Sequence, residues 1–211
     1  MKIILVVNVQ TQEMQFKVFR AKGFEVTNSP IKYTPENQQI MLTFTPNGEK
    51  IEPPTVGVAW KNETGKISKK ELQLPISITK FLSPVELEYD KFNAFYKDYS
   101  LPNEKFHKLD SFLKIPEGVR VQDYIKKIGS FLSSVCNFKC GAFPSFENIE
   151  VIYGSATFPL STNGKVVKYP VLIEVQGYEV EKSRAVRVSL RGGNGNSLTS
   201  IYQTFLSFFS E

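Results

Sequence analysis

Apolar positions in the first 80 residues fall in short runs or in strict alternation, never at a sustained helical period. Phe16-Lys17-Val18-Phe19 leads to Gly23, Ile40-Met41-Leu42-Thr43-Phe44 to Pro46-Asn47-Gly48, and Val56-Gly57-Val58-Ala59-Trp60 to the turn residues Asn62 to Gly65. Short apolar runs bounded by turn residues predict a small antiparallel β-sandwich. Leu72, Leu74, Ile76 and Ile78 alternate with Gln73, Ser77 and Thr79, the pattern of a last strand, and Pro75 inside it predicts an edge position.

The period changes at Ser83-Pro84-Val85-Glu86, where Ser, Pro at the first helical position and Glu three residues after Ser read as a capping box. Val85, Tyr89, Phe92, Tyr96 and Tyr99 then recur at helical spacing, which predicts a helix over 84–100 that stops before Pro102. Phe106, Leu109, Phe112 and Leu113 predict a second, short helix ended by Pro116 and Gly118. Val121, Tyr124, Ile125, Ile128, Phe131 and Leu132 predict a third. Three strands follow, at about Glu147 to Phe158, Val166 to Gln176, and Ala185 to Arg191. In the last, Val186, Val188 and Leu190 alternate with Arg187, Ser189 and Arg191, the pattern of a half-buried sheet with its arginines outside. After Gly192-Gly193-Asn194-Gly195, the residues Leu198, Ile201, Phe205, Leu206 and Phe209 predict a closing helix over 197–210. The expected fold is α+β, with a β-sandwich at 1–82 and an α/β part at 83–211 that has an antiparallel sheet and flanking helices.

Composition narrows the class without naming a partner. A chain of 211 residues, 41% hydrophobic, holds one sizeable core or two small ones, and its net charge of +5 balances 26 basic against 21 acidic residues spread along the chain. The start, Met1 to Val7, reads as a first strand because Asn8 and Gln10 interrupt the apolar run far short of a signal segment. No stretch reaches the roughly 20 apolar residues of a membrane span, and two cysteines do not make a disulfide framework. These features predict a cytoplasmic protein, in which the sequon Asn62-Glu63-Thr64 has no meaning.

Candidate chemistry is sparse. The single histidine, His107, stands among Lys105, Lys108 and Asp110 and reads as a solvated helix residue rather than a general base. Cys136 and Cys140 lack the further cysteines or histidines of a zinc site and read as buried thiols. Gly192 to Gly195 lies where phosphate-cradling loops occur but lacks their lysine and their signature, so a tight turn with Asn196 or Ser197 as helix cap is expected. No catalytic residue, metal site or cofactor is expected. The stripe Tyr89, Phe92, Tyr96, Tyr99 admits two readings: core, or the wall of a surface groove, because three of its members carry hydroxyls that need water or a partner.

Three segments in order resemble the appendage, or ear, of the alpha-adaptin large subunit of the plasma-membrane clathrin adaptor complex. The run Leu72-Gln73-Leu74-Pro75-Ile76-Ser77-Ile78-Thr79-Lys80-Phe81-Leu82-Ser83-Pro84-Val85-Glu86 is similar to the family's LPI or LPV run followed by NKFFQPTE. Phe106 to Pro116 is similar to a segment containing NIFKA and a proline, and Val186-Arg187-Val188-Ser189-Leu190-Arg191 with the closing helix is similar to YRLTLR and an amphipathic C-terminus. The resemblance covers most of residues 70–211.

The resemblance implies an immunoglobulin-like β-sandwich joined to an α/β platform that catalyses nothing. In the family the platform recruits endocytic accessory proteins through DPF, DPW or FxDxF motifs in clathrin-coated pits, at the cytoplasmic face of the plasma membrane. It also implies contact with the other adaptor subunits through a longer parent chain, no nucleic acid, and a membrane met only indirectly. The family's Phe-Phe-x-x-Trp helix face falls here on Phe92, Asn93 and Tyr96, so one Phe is Asn and the Trp is Tyr. The two arginines of YRLTLR fall on Arg187 and Arg191, and a third family arginine has no counterpart in Leu172 to Gln176. The implied peptide-binding set is therefore Phe92, Asn93, Tyr96, Arg187 and Arg191. An aromatic pocket takes the peptide's Phe and guanidinium groups take its Asp, at micromolar strength raised by avidity. The alternative class is a basic module for nucleic acid or phosphoinositide, motivated by a pI near 9 and by aromatics on a sheet. It lacks a clustered run of lysines and any RNA-binding motif.

Overall fold

A computed structural model of the protein describes residues 1–7, 14–33, 38–48, 51–61, 64–100, 106–143, 151–180 and 183–209. It is a mixed α+β fold with antiparallel sheets. The chain divides into two units: Met1–Ser77 with Leu160–Lys165, and Ile78–Pro159 with Val166–Glu211. The boundary read from the sequence lies between residues 82 and 83. Outside the described residues lie the start of the predicted strand at Glu147, Ser210 of the closing helix, Pro102, Lys105, Asn8, Gln10, and Asn62 and Glu63 of the sequon.

The first unit holds β1 (Lys2–Val7), β2 (Met14–Arg20), β3 (Phe24–Asn28), β4 (Lys32–Tyr33), β5 (Gln38–Pro46), β6 (Thr55–Lys61) and β7 (Ile67–Gln73). One sheet runs β1-β5-β3, with β4 also on β5, and another runs β2-β6-β7. Alternation dictates burial: in β5, Ile40, Leu42 and Phe44 point inward, and Phe44 meets Phe24 edge to face at 5.7 Å. Val56 and Val58 are the buried positions of β6.

The predicted strand over 72–78 is corrected. The strand is Ile67–Gln73, an edge strand almost wholly exposed, and the chain leaves it at Leu74, whose N–H bonds to Pro54 O at 2.8 Å. Leu74 and Ile76 are buried outside any strand, Pro75 therefore sits beyond the sheet, and Ile78–Phe81 forms a 3-10 turn.

The second unit is a sheet with helices on both faces. Its elements are β8 (Ser83–Pro84), α1 (Tyr89–Ser100), β9 (His107–Lys114), α2 (Val121–Ser134), β10 (Lys139–Phe143), β11 (Val151–Thr162) and β12 (Lys165–Val180) apart from their ends within Leu160–Lys165, β13 (Ser183–Gly192) and α3 (Gly195–Phe209). The sheet order is β10-β11-β12-β13-β9, with β8 also on β11.

Two predicted helices are corrected here. Ser83 and Pro84 do not cap a helix; they pair with Thr157 and Ala156, and Val85 N–H bonds to Ser155 O, so the sheet takes the backbone groups and α1 starts only at Tyr89. Phe106 to Leu113 is not a helix but the edge strand β9, paired with β13 from His107 opposite Gly192 to Lys114 opposite Ala185. His107 accordingly is an exposed strand residue.

Val186, Val188 and Leu190 form one face of β13, fully buried under α2 and α3. Close approach there depends on glycine: a Cβ on Gly177, opposite Val186, would stand 2.5 Å from side-chain carbons of Val121 and Ile125 in α2. The closing helix is capped by Asn194, not by Asn196 or Ser197: Asn194 Oδ1 accepts from the Ser197 N–H at 2.9 Å and from the Ser197 hydroxyl at 3.0 Å. Cys136 is fully buried, with its thiol pushed up to about 12 by burial, and Cys140 is half-buried.

Candidate functional site

The opposite face of β13 carries Arg187, Ser189 and Arg191 toward α1. Register fixes their neighbours: Arg187 lies between Gln176 of β12 and Phe112 of β9, Ser189 between Glu174 and Asp110, and Arg191 between Leu172 and Lys108. Residues directly opposite in antiparallel strands share a face. The strip therefore alternates cation and carboxylate.

The two arginines have different fates. Arg191 is 7% exposed, so the sequence reading that places it outside is corrected: α1 covers it. Every nitrogen of its guanidinium donates a hydrogen bond. Nη1 and Nη2 donate to the two Asp110 carboxylate oxygens at 2.8 and 3.2 Å, Nη1 also to Leu190 O at 2.9 Å, and Nε to the Ser100 hydroxyl at 3.0 Å. Such a planar fork matches a carboxylate in two parallel bonds. Burial alone raises the Asp110 pKa, but the Arg191 hydrogen bonds, the nearby Ser189 hydroxyl and the charges of Arg191 and Arg187 outweigh it and hold the group below its ordinary 3.8.

Tyr96 sits over this pair, with its ring 4.9 Å from Arg191 Cζ and stacked on Phe92 at 5.5 Å. Its hydroxyl is pushed up from 10.0 by burial and by the nearby Glu174 and Asp110 carboxylates, against the pull of Ser189 and Arg191. The Ser189 hydroxyl lies beside Tyr96 and Asp110 in a geometry short of a full hydrogen bond to either. Phe92 is 1% exposed and packs on Tyr153 at 4.9 Å, so it is core and cannot touch a ligand in this conformation. Tyr89 packs on the same Tyr153, and Asn93 is half-buried. The aromatic stripe thus divides: one member is core and the tyrosines are half-buried at the helix margin.

Arg187 differs, because its side chain is 34% exposed. Nη2 donates to Glu174 Oε1 at 2.9 Å and to Gln176 Oε1 at 2.8 Å, and Gln176 Oε1 also accepts from the Tyr178 hydroxyl at 2.6 Å. Nε is buried and has no hydrogen-bond partner among the described residues. Tyr178 lies 5.8 Å from the guanidinium on one side, and on the other the directly opposite Phe112 is 65% exposed. The two rings are 6.4 Å apart. Burial disfavours the Arg187 charge, and Tyr178 and Glu174 more than restore it.

Sequence reasoning named Arg187 and Tyr96 but missed Phe112, Gln176, Tyr178 and the two carboxylates. Phe112 was hidden by its helical assignment. The signal that finds it is the alternation of Leu109, Ser111 and Leu113, which makes β9 a strand and puts Phe112 opposite Arg187. Among the described residues no group of three or more His, Cys, Asp and Glu stands close enough to hold a metal ion, and no helix is long and apolar enough to cross a membrane. No protein-family model matches the chain, and no curated protein matches it.

Proposed function

We propose that this chain is a peptide-recruiting module whose second unit binds short motifs with a Phe beside an Asp, of the DPF, DPW or FxDxF type. In this reading the first unit is the immunoglobulin-like sandwich and the second the platform of a clathrin-adaptor appendage. Its partners are endocytic accessory proteins at coated pits, and it is not an enzyme.

The observation that carries the reading is Arg187: a part-exposed guanidinium with an unfilled Nε donor, flanked by the exposed Phe112 and by Tyr178. Because Nε is buried, a ligand carboxylate meets the exposed edge of the guanidinium, where a charge-assisted hydrogen bond is strong. The rings give an adjoining phenylalanine an apolar surface, and Tyr96 borders the same strip. Of the other residues the resemblance implies, Arg191 and Phe92 support Tyr96 from below, and Asn93 lies on the same helix.

Titration calorimetry with one acidic, Phe-containing peptide tests this. Phe112→Ala and Tyr96→Ala should each weaken binding by about tenfold, the loss of 1–2 kcal/mol expected for an exposed aromatic anchor. Unchanged affinity in Phe112→Ala, with the helical signal intact, rejects the site.

A further inference from the structure

Phe95 and Tyr96 are neighbours in sequence and so stand about 100° apart around α1. While Tyr96 leans over the polar strip, Phe95 and Tyr99 turn to the other flank, where they close a separate cleft of about 160 Å³. Its remaining walls are Val85 and Leu87 of the segment between β8 and α1, Ser155, Ala156 and Thr157 of β11, and Pro170 and Leu172 of β12. Hydrogen bonding fixes that segment: Val85 N–H bonds to Ser155 O, and the Ser155 hydroxyl donates to Val85 O at 2.6 Å, so this hydroxyl is already used. Tyr99 is held in turn by stacking on Phe106 at 4.0 Å. The cleft is therefore preformed and its walls are almost wholly carbon.

Size and polarity select the occupant. An apolar protein cavity of about 150 Å³ holds one benzene molecule, so this cleft takes a single phenyl ring. A phenol in the same place would desolvate its hydroxyl against walls almost wholly of carbon, where the Ser155 hydroxyl is already engaged. Charge gives a direction. Lys168 is exposed and stands two residues before the lining residue Pro170, on the same strand face as Pro170 and Leu172. On the α1 side, Lys91 precedes Phe95 by one turn, and Glu88 and Asp98 fall on the same helical row three residues before Lys91 and three after Phe95. Glu86 is engaged by Lys139 at 3.7 Å.

We infer that the cleft is a second, independent socket in the same unit, and that its occupant is a phenylalanine side chain of a peptide with an acidic residue after it, the carboxylate directed to Lys168. It does not depend on the Arg187 surface.

Methyl NMR of the full chain, titrated with the blocked dipeptides acetyl-Phe-Asp-amide, acetyl-Tyr-Asp-amide and acetyl-Ala-Asp-amide at millimolar concentration, tests the inference. Acetyl-Phe-Asp-amide should shift the Leu87, Ala156 and Leu172 methyls saturably, the tyrosine peptide at least about threefold more weakly because its hydroxyl is stranded, and the alanine peptide not at all. Phe95→Ala, at an exposed position, and Thr157→Trp, which fills the cleft, should each abolish the shifts, and Lys168→Glu should weaken them. Arg187→Glu should respond like the native chain, so this inference and the proposed function fail separately. Silent methyls, equal responses to all three dipeptides, or loss of the response in Arg187→Glu would overturn it.

Discussion

Removing one or the other member of the Arg191–Asp110 pair should have unequal effects, because the two ends differ in access to water. Arg191 is buried at 7% exposure, whereas the Asp110 side chain is 43% exposed. Asp110→Ala strips two charge-assisted bonds from a guanidinium that cannot reach solvent, leaving only the Ser100 hydroxyl, Leu190 O and the Tyr96 ring. Breaking a fully buried pair in this way costs about 3–5 kcal/mol. Discounted for the half-exposed carboxylate, the loss here should be about 2–3 kcal/mol. Arg191→Met keeps the apolar stem under α1 and leaves a carboxylate free to turn to water, at a cost of about 1 kcal/mol. Urea unfolding reads the two units apart. Among the described residues all three α-helices lie in the second unit, so ellipticity at the helical band follows it, and the single tryptophan, Trp60, follows the first. Only the helical transition should move. Arg191→Met costing as much as Asp110→Ala, or neither costing more than about 0.5 kcal/mol, refutes the claim that Arg191 is a buried structural ion and not a ligand arginine.

Three further outcomes follow from the same geometry. Gly177→Val should destabilise the second unit by about 1–3 kcal/mol, since its side chain would drive into Val121 and Ile125, while Gly177→Ala costs less because both contacts are flexible side-chain ends; urea midpoints check this. The two cysteines should resist a thiol-disulfide reagent at pH 8 in the native chain and react rapidly in denaturant, because burial holds Cys136 up to about 12 and raises Cys140 as well. Asp110 has a lowered folded pKa, so its ionised form stabilises the fold above 3.8 and that contribution is lost as pH falls through the folded value. The stability gap between the native chain and Asp110→Asn should therefore close in that window, as read from unfolding free energies across the acid range.

The period of the sequence announces some elements and hides others, for physical reasons. Alternation in Ile40 to Phe44 and in Val186 to Leu190 is unambiguous because each strand buries one face against a core. The stripe from Val121 to Leu132 fits no period but the helical one, and α2 follows it. By contrast Phe106, Leu109, Phe112 and Leu113 fit both periods, and pairing with β13 decides for a strand. The local capping signal at Ser83 loses to sheet pairing with β11. Ile67 to Gln73 carries no burial pattern at all, since an edge strand that faces water on nearly every side chain leaves no hydrophobic trace. At the site, parity places Arg187 and Arg191 on one face but says nothing of what covers that face. The difference between a filled and an unfilled guanidinium rests on Asp110 and Glu174, whose roles depend on cross-strand register. Register is not legible in one strand.

The central claim is that Arg187, and not general basicity, meets the carboxylate of a Phe-containing peptide. Calorimetric titration of one acidic Phe peptide into the native chain, Arg187→Glu and Lys66→Glu, each at two salt concentrations, tests it most directly. Lys66 is an exposed lysine of the first unit and no member of the strip, so its reversal makes the same change in net charge without touching the strip's own residues. Arg187→Glu should abolish binding through lost pairing plus repulsion. It should also lower the urea midpoint of the second unit, because Glu174, 19% exposed, loses its partner and faces a second carboxylate, so binding is compared with the helical signal intact. Lys66→Glu should bind within about twofold of the native chain, as expected for a charge that is not among the residues of the strip. Equal losses in the two variants, growing steeply as salt is lowered, would contradict the claim and assign the binding to diffuse charge.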